Sequence, residues 1–378
     1  MMYYLLNVFR RELRRMASRR IYWVTSLVLP LFSLVFMATI FGNGQMQNLP
    51  IGVVDTENTS ASRNIIRMAD ATPTLRITHQ YANETEAKKA VQKKEVYGYL
   101  LIEEGILCYY YHNAMLSVGG EIHSTLESLL KQVSVTPLVT KAIGLGEEEA
   151  GIVSFLMPTS ETEFPTYNHF RNYAVYLTQP FFFVFLQVLL LLVTTYALGS
   201  ESKFGTSDEW LQSARGNIGI AVLGKLLPYT FIFILMGVLA NVVFFQWIQI
   251  PLPGSLWTIN GMTILFVCAT QALALFLYSL FPVLSLIISV VSMIGSLGAT
   301  LSGVTFPVVF MDTPVYWASF FFPIRHFMEV VQSLLYLEAS FADFWTSLVV
   351  LLLFLLLPIL LLPRLKNALT THRYEAFE

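Results

Sequence analysis

Gly219 to Lys225 reads GIAVLGK, the glycine and lysine spacing with which a phosphate-binding loop begins. In such a loop backbone amides cradle phosphate, and a Ser or Thr after the lysine holds magnesium. Leu226 stands where that hydroxyl belongs, and an apolar run starts at the first glycine. The segment therefore predicts a membrane helix and no nucleotide site. His79, His112, His123 and His169 show neither HExxH nor paired Cys/His spacing, so no metal site is expected. Glu147, Glu148 and Glu149 read as a solvated helix start. Cys108 and Cys268 fall in a polar segment and an apolar run, which predicts no disulfide. A formal net charge of -2 points to no nucleic-acid partner.

A second group of chemically able residues lies between two apolar runs, from Glu201 through Gly205, Thr206 and Glu209 to Trp210 and Leu211. Thr206 or Ser207 suits an N-cap, and Asp208 and Glu209 suit the positive first turn of a helix. Trp210 and Leu211 form an apolar patch. A short capped helix with an exposed aromatic fits docking onto a cytoplasmic partner, or a helix lying on lipid. For docking, Trp210 and Leu211 are the anchors, Gly205 permits the sharp turn into the helix, and Glu201 or Glu209 supplies charge at the rim.

A third group follows the fifth apolar run. Phe306 to Phe322 is apolar but broken by Pro307 and Pro314, with Gly303 before it and Pro323 after it, so it cannot be one helix. Short helices dipping into the membrane from outside, or an interfacial loop anchored by Tyr316 and Trp317, would fit. Arg325 and Glu329, four apart, are expected to pair on one helix face. Within the fifth run, Ser285, Ser289, Ser292 and Ser296 share a face that suits packing against another helix.

The elements that must position these groups are six apolar runs, each near the ~20 residues that cross a bilayer as helix. The chain of 378 residues is 55% hydrophobic and 13% charged, about half the charge of an ordinary soluble domain. We read residues 1–20 as a basic amphipathic segment and the spans as 21–41, 173–198, 219–246, 258–280, 284–305 and 344–362. Residues 199–218 form an inner coupling loop, 306–343 external re-entrant helices and 363–378 a tail. Six arginines between Arg10 and Arg20 face a single Glu12, which places the N-terminus inside. An even number of spans returns the C-terminus inside. The first run is too long for a cleaved signal peptide, and no small-x-small site follows it.

Residues 42–172 then lie outside. Leu49–Asp55, Leu75–Tyr81, 97–102 and Ile106–Tyr111 read as strands, alternating with helical patterns near 60–70, 84–95 and 119–143. The expected fold is membrane α-helical, with six transmembrane helices and an extracytoplasmic α/β domain inserted between helices 1 and 2.

The chain resembles the ABC-2 type permeases, the membrane halves of ATP-binding-cassette exporters. Glu201, Gly205-Thr206, Glu209, Leu211, Gly224-Lys225 and Pro228-Tyr229 match that family's first inner loop and the start of its third span. Ser213-Ala214 departs from the family's frequent Ser-Pro. Asp55 closing a strand before Ser62-Arg63, and Ser302-Gly303 through Pro307 to Pro323-Ile-Arg325-His326-Phe327, match two further stretches. The resemblance implies two permease chains, identical or paralogous, paired with two cytoplasmic ATP-binding cassette subunits that bind ATP and magnesium. This chain would hold no cofactor and have no ATPase site of its own. The resemblance also implies export of drugs, lipids or polysaccharides across a bacterial inner membrane, often with a periplasmic adaptor. Two other classes compete: a secondary transporter or channel, against which the lack of an Asp or Glu within the spans argues, and a membrane-anchored receptor or assembly scaffold.

Overall fold

The computed structural model describes residues 1–41, 46–103, 106–112, 114–143, 174–252, 254–336 and 341–372. The acidic run Glu147 to Glu149 and His169 lie outside them. The chain divides into two compact units, Met1–Asn43 with Asn172–Glu378, and Gly44–Arg171.

The first unit is helical. Among the described residues six helices are long and apolar enough to cross a membrane: Arg20–Ile40, Tyr176–Lys203, Ile218–Trp247, Leu256–Leu280, Leu284–Leu301 and Phe344–Thr370, here the first to sixth spans. The second and fourth are the most buried and form the centre of the bundle. Aromatic rings fill it, with Phe183, Phe266 and Phe327 in mutual contact. The sixth span continues beyond 362, where a tail was expected. Pro358 and Pro363 interrupt the backbone ladder at a 3-10 turn over Leu357–Leu360. Pro363 sits in the first turn of the helix that follows, a position where its missing N–H costs nothing.

Before the first span lies α1, Met2–Ser18. The second span is followed by the short helix α5, Ser207–Ser213, and the fifth by α6, Thr313–Ser319, and α7, Pro323–Tyr336. Prolines start both of these last helices, and Gly303, at φ +85°, bends the chain out of the fifth span.

The second unit carries a four-stranded sheet in the order β2-β1-β3-β4, with β1 Leu49–Asp55, β2 Leu75–Tyr81, β3 Gly98–Glu103 and β4 Ile106–Tyr111. β1 runs parallel to β2 and β3, while β3 and β4 are antiparallel. Helix α2, Ser60–Asp70, follows β1 and α3, Glu84–Gln92, follows β2. The parallel order of β2, β1 and β3 requires such crossovers. Thr59 and Asn83 cap these helices by accepting the amides of Ser62 and Glu86. α4, Leu116–Ile143, contributes Ile122, Leu126 and Leu129 to a core with Ile51, Val53 and Leu100. Cys108 and Cys268 are both free thiols.

Candidate functional site

Val8, Glu12 and Met16 recur every four residues and form the buried face of α1. That face seats on the third span because residue 224 is glycine. A Cβ there would lie 2.7 Å from the Val8 Cβ and 3.0 Å from the Leu5 carbonyl oxygen. The close approach puts the next residue, Lys225, against the acid of α1. Its Nζ donates to Glu12 Oε2 and to Glu201 Oε1, each at 2.6 Å. One turn on, the Tyr229 hydroxyl donates to Glu12 Oε1 at 2.7 Å.

Glu201, in the last turn of the second span, is the hub. Arg11 grips it with two nitrogens, at 2.7 and 3.0 Å. Arg15 and the Thr206 hydroxyl also donate to it. Arg15 further reaches the Ser200 carbonyl at 3.1 Å, and Tyr22 of the first span shares a hydrogen bond with the Ser200 hydroxyl. Three cations thus meet two buried carboxylates, with Glu209 at the rim, 3.9 Å from Arg11. Burying charges is costly unless each is paired and its remaining lone pairs are satisfied. Here every carboxylate oxygen of Glu12 and Glu201 has a donor.

The same cluster fastens α5. Gly205, at φ +63°, turns the chain out of the second span. Thr206 does not cap α5 with its side chain, as expected of it, because its hydroxyl is committed to Glu201. Trp210 and Leu211 were expected to be exposed anchors for a partner, and the structure corrects this. Trp210 is fully buried, its Nε1 donates to the Ala221 carbonyl at 3.1 Å, and its ring lies 5.3 Å from Lys225 Nζ. An amphipathic helix of seven residues has one apolar stripe, and here the third span has taken it. Glu201 likewise is a buried hub and not a rim charge. Exposed residues on and around α5 include Lys203, Phe204, Asp208, Glu209, Gln212 and Arg215, with His372 Nε2 3.3 Å from Asp208. Gly219 to Lys225 lies within the third span, and Lys225 is occupied by carboxylates.

The sequence profile described as ABC-2 family transporter protein matches residues 20–362. The chain belongs to this ABC-2 transporter family. No match is found among curated proteins. Membership makes the chain a multi-pass membrane protein of transport and implies an ATP-binding cassette partner.

One further expectation for this ABC-2 transporter chain changes. Arg325 and Glu329 do not pair. Arg325 turns back to α6, donating to Ser319 Oγ at 2.8 Å, while Glu329 accepts from Ser347 of the sixth span at 2.7 Å. The serine face of the fifth span is left largely uncovered by the described residues of this chain. Ile287, Val291, Gly295 and Gly298 are its buried side, leaving Ser285, Ser289 and Ser296 exposed and Ser292 half-buried. Each of Ser289, Ser292 and Ser296 returns its hydroxyl to its own helix. Gly303, Pro307, Arg325 and Glu329 line a common cavity, and Pro314 and Pro323 begin the helices beside it.

Sequence reasoning missed Arg11, Glu12 and Arg15 as site residues. Two signals were present: a lysine inside an apolar run needs a counter-charge, and Glu12 is the one acid among six arginines.

Proposed function

We propose that this chain is the permease subunit of an exporter driven by a separate cytoplasmic ATP-binding cassette subunit. The observation that carries this reading is the buried Glu201 cluster. It ties α5 to α1, to the second span and to the third, so force applied at α5 moves helices and does not merely bend a loop. Phe204, Asp208, Glu209 and Gln212 are the contact surface for the ATPase. ATP and magnesium bind the partner, its dimer closes, and the load passes through Glu201 and Lys225 into the bundle. The partner drives the change only by binding the two states of the permease unequally.

In this reading both termini and the 199–218 loop are cytoplasmic, the 42–172 domain is extracytoplasmic, and the membrane is a bacterial inner membrane. A second permease chain covers the exposed serine face of the fifth span. The substrate is a drug-like molecule, a lipid or a polysaccharide, and a periplasmic adaptor meets the 42–172 domain. The test is purification of the full chain in mild detergent from its native membrane. A cassette ATPase should co-purify, and Asp208→Asn with Glu209→Gln should weaken its retention at only a small cost in melting temperature. Transport that proceeds on an ion gradient, with no ATPase retained, would instead support a secondary transporter.

A further inference from the structure

The end of the bundle opposite α1 holds a cation that forms no ion pair among the described residues, with Glu329 in the same cavity bonded to Ser347 instead. The second span runs from Tyr176 to the Glu201 cluster, and the fifth runs back from Leu284, beside Gly199, to Ser302 near Tyr176. Gln187 lies about 16 Å along the second span from Tyr176, close to half the ~30 Å of a hydrocarbon core. The junction of α6 and α7 reaches that depth, because the Ile324 amide donates to Gln187 Oε1 at 3.1 Å. Arg325 is therefore sunk well into the apolar zone and is only 5% exposed.

Its surroundings hold the guanidinium without neutralising it. It lies 3.8 Å from the centre of the Phe320 ring and 4.9 Å from that of Tyr316. Its hydrogen-bond partners, Ser319 Oγ and the Tyr316 carbonyl, are uncharged, and its Nε is buried with no partner among the described residues. An unpaired intramembrane cation is costly and marks a functional site. Arg325 lines a cavity of about 590 Å³, the size of a small-molecule site. Val304 and Val308 give that cavity an apolar wall, and Glu329, Gln332 and Ser333 give it polar groups along α7.

We infer that this cavity binds the anionic headgroup of an amphiphile. Arg325 receives the phosphate or carboxylate. Glu329 and Gln332 receive hydroxyl or ammonium donors on the rest of the headgroup, and the valines carry the start of the acyl chain. Which leaflet supplies the ligand rests on the topology proposed above, whereas binding itself does not.

The test uses the purified full chain in a neutral detergent, titrated with phosphatidylglycerol, phosphatidylcholine and inorganic phosphate, with bound lipid read by native mass spectrometry. Phosphatidylglycerol should bind saturably and about tenfold more tightly than phosphatidylcholine, which lacks net charge and headgroup donors. Arg325→Gln should weaken it by about tenfold or more, and Ser333→Phe, which fills the cavity but keeps the cation, should do the same. Arg364→Gln, at the opposite end, should change nothing. Should Arg325→Gln fail to fold, Ser333→Phe decides. Equal binding of the two lipids, or unchanged binding in Ser333→Phe, would overturn the proposal. Displacement by millimolar inorganic phosphate would also overturn it, since the site would then take the free anion. No ATPase is needed, so this outcome is independent of the co-purification test.

Discussion

Glu201 and Lys225 hold each other at 2.6 Å, 24 positions apart in sequence, with neither side chain exposed. The pair joins the end of one span to the start of the next, and α1 completes it with Glu12. Its behaviour under substitution separates a structural clamp from a chance contact.

Lys225→Met should destabilise the chain by about 3–5 kcal/mol, because Glu12 keeps its burial and loses its cation. Adding Glu12→Gln should restore a large part of that loss, since the orphaned charge is then removed. Thermal unfolding of the parent, the two single variants and the double variant in one detergent measures the coupling. Additive losses would mean that the two side chains act independently.

Gly224→Val should unseat α1 without disturbing the spans. The new Cβ would lie 2.7 Å from the Val8 Cβ, too close to keep, and tight against the Leu5 carbonyl at 3.0 Å, so α1 must shift. Hydrogen exchange should show α1 losing protection while the second and fourth spans keep theirs.

Trp210→Ala should lower stability by about 3–5 kcal/mol, as expected for a large buried aromatic. Phe204→Ala should cost at most about 1 kcal/mol, from the Arg19 guanidinium 4.0 Å over its ring, and reduce retention of an ATPase subunit, because Phe204 is 46% exposed beside α5. Melting temperature and co-purification yield, measured on both variants, should move in opposite order.

The second unit should lose stability in acid through Asp55. Burial alone would raise its pKa, but the Ser62 hydroxyl and the Asn58 and Glu57 amides together hold it below the usual value. A depressed native pKa contributes stability that is fully present above the unfolded value near 4 and lost as pH falls through the native one. Melts of the expressed 44–171 unit across that window should show a shallower decline for Ser62→Ala than for the parent.

Asn64 and Gln212 are both exposed, one in the second unit and one on α5. Cysteines at these positions, in a chain lacking Cys108 and Cys268, should react with an impermeant reagent from opposite sides of the membrane. Labelling of both from one side would refute the topology.

Apolar run length and strand alternation are local properties, so the six long helices and the strands of the sheet were legible in the sequence. Motifs such as Gly224-Lys225 were legible as resemblance, but their physics was not. The partners of Lys225 and Glu201 on α1 lie 213 and 190 positions away, and no local period encodes that meeting. The orientation of a seven-residue helix is equally hidden. The sequence shows that Trp210 has an apolar neighbour in Leu211, but not which surface takes them. The serine face of the fifth span shows the same limit, since small residues mark close approach without saying to what. Arg325 was read with the acid four residues on, yet the aromatic rings of α6 lay nearer.

The seat of α1 is made by Gly224 and Lys225, which a ribosome reaches long after α1 itself. The first helix therefore cannot take its native place while only the first span and the following domain have been synthesised. Until the second span supplies Glu201, its arginines have only lipid phosphates to rest on, and until the third span supplies Lys225 and Tyr229, Glu12 has neither of its partners. Docking of the N-terminus is thus a late step in biogenesis, and a chain truncated before residue 224 leaves it undocked.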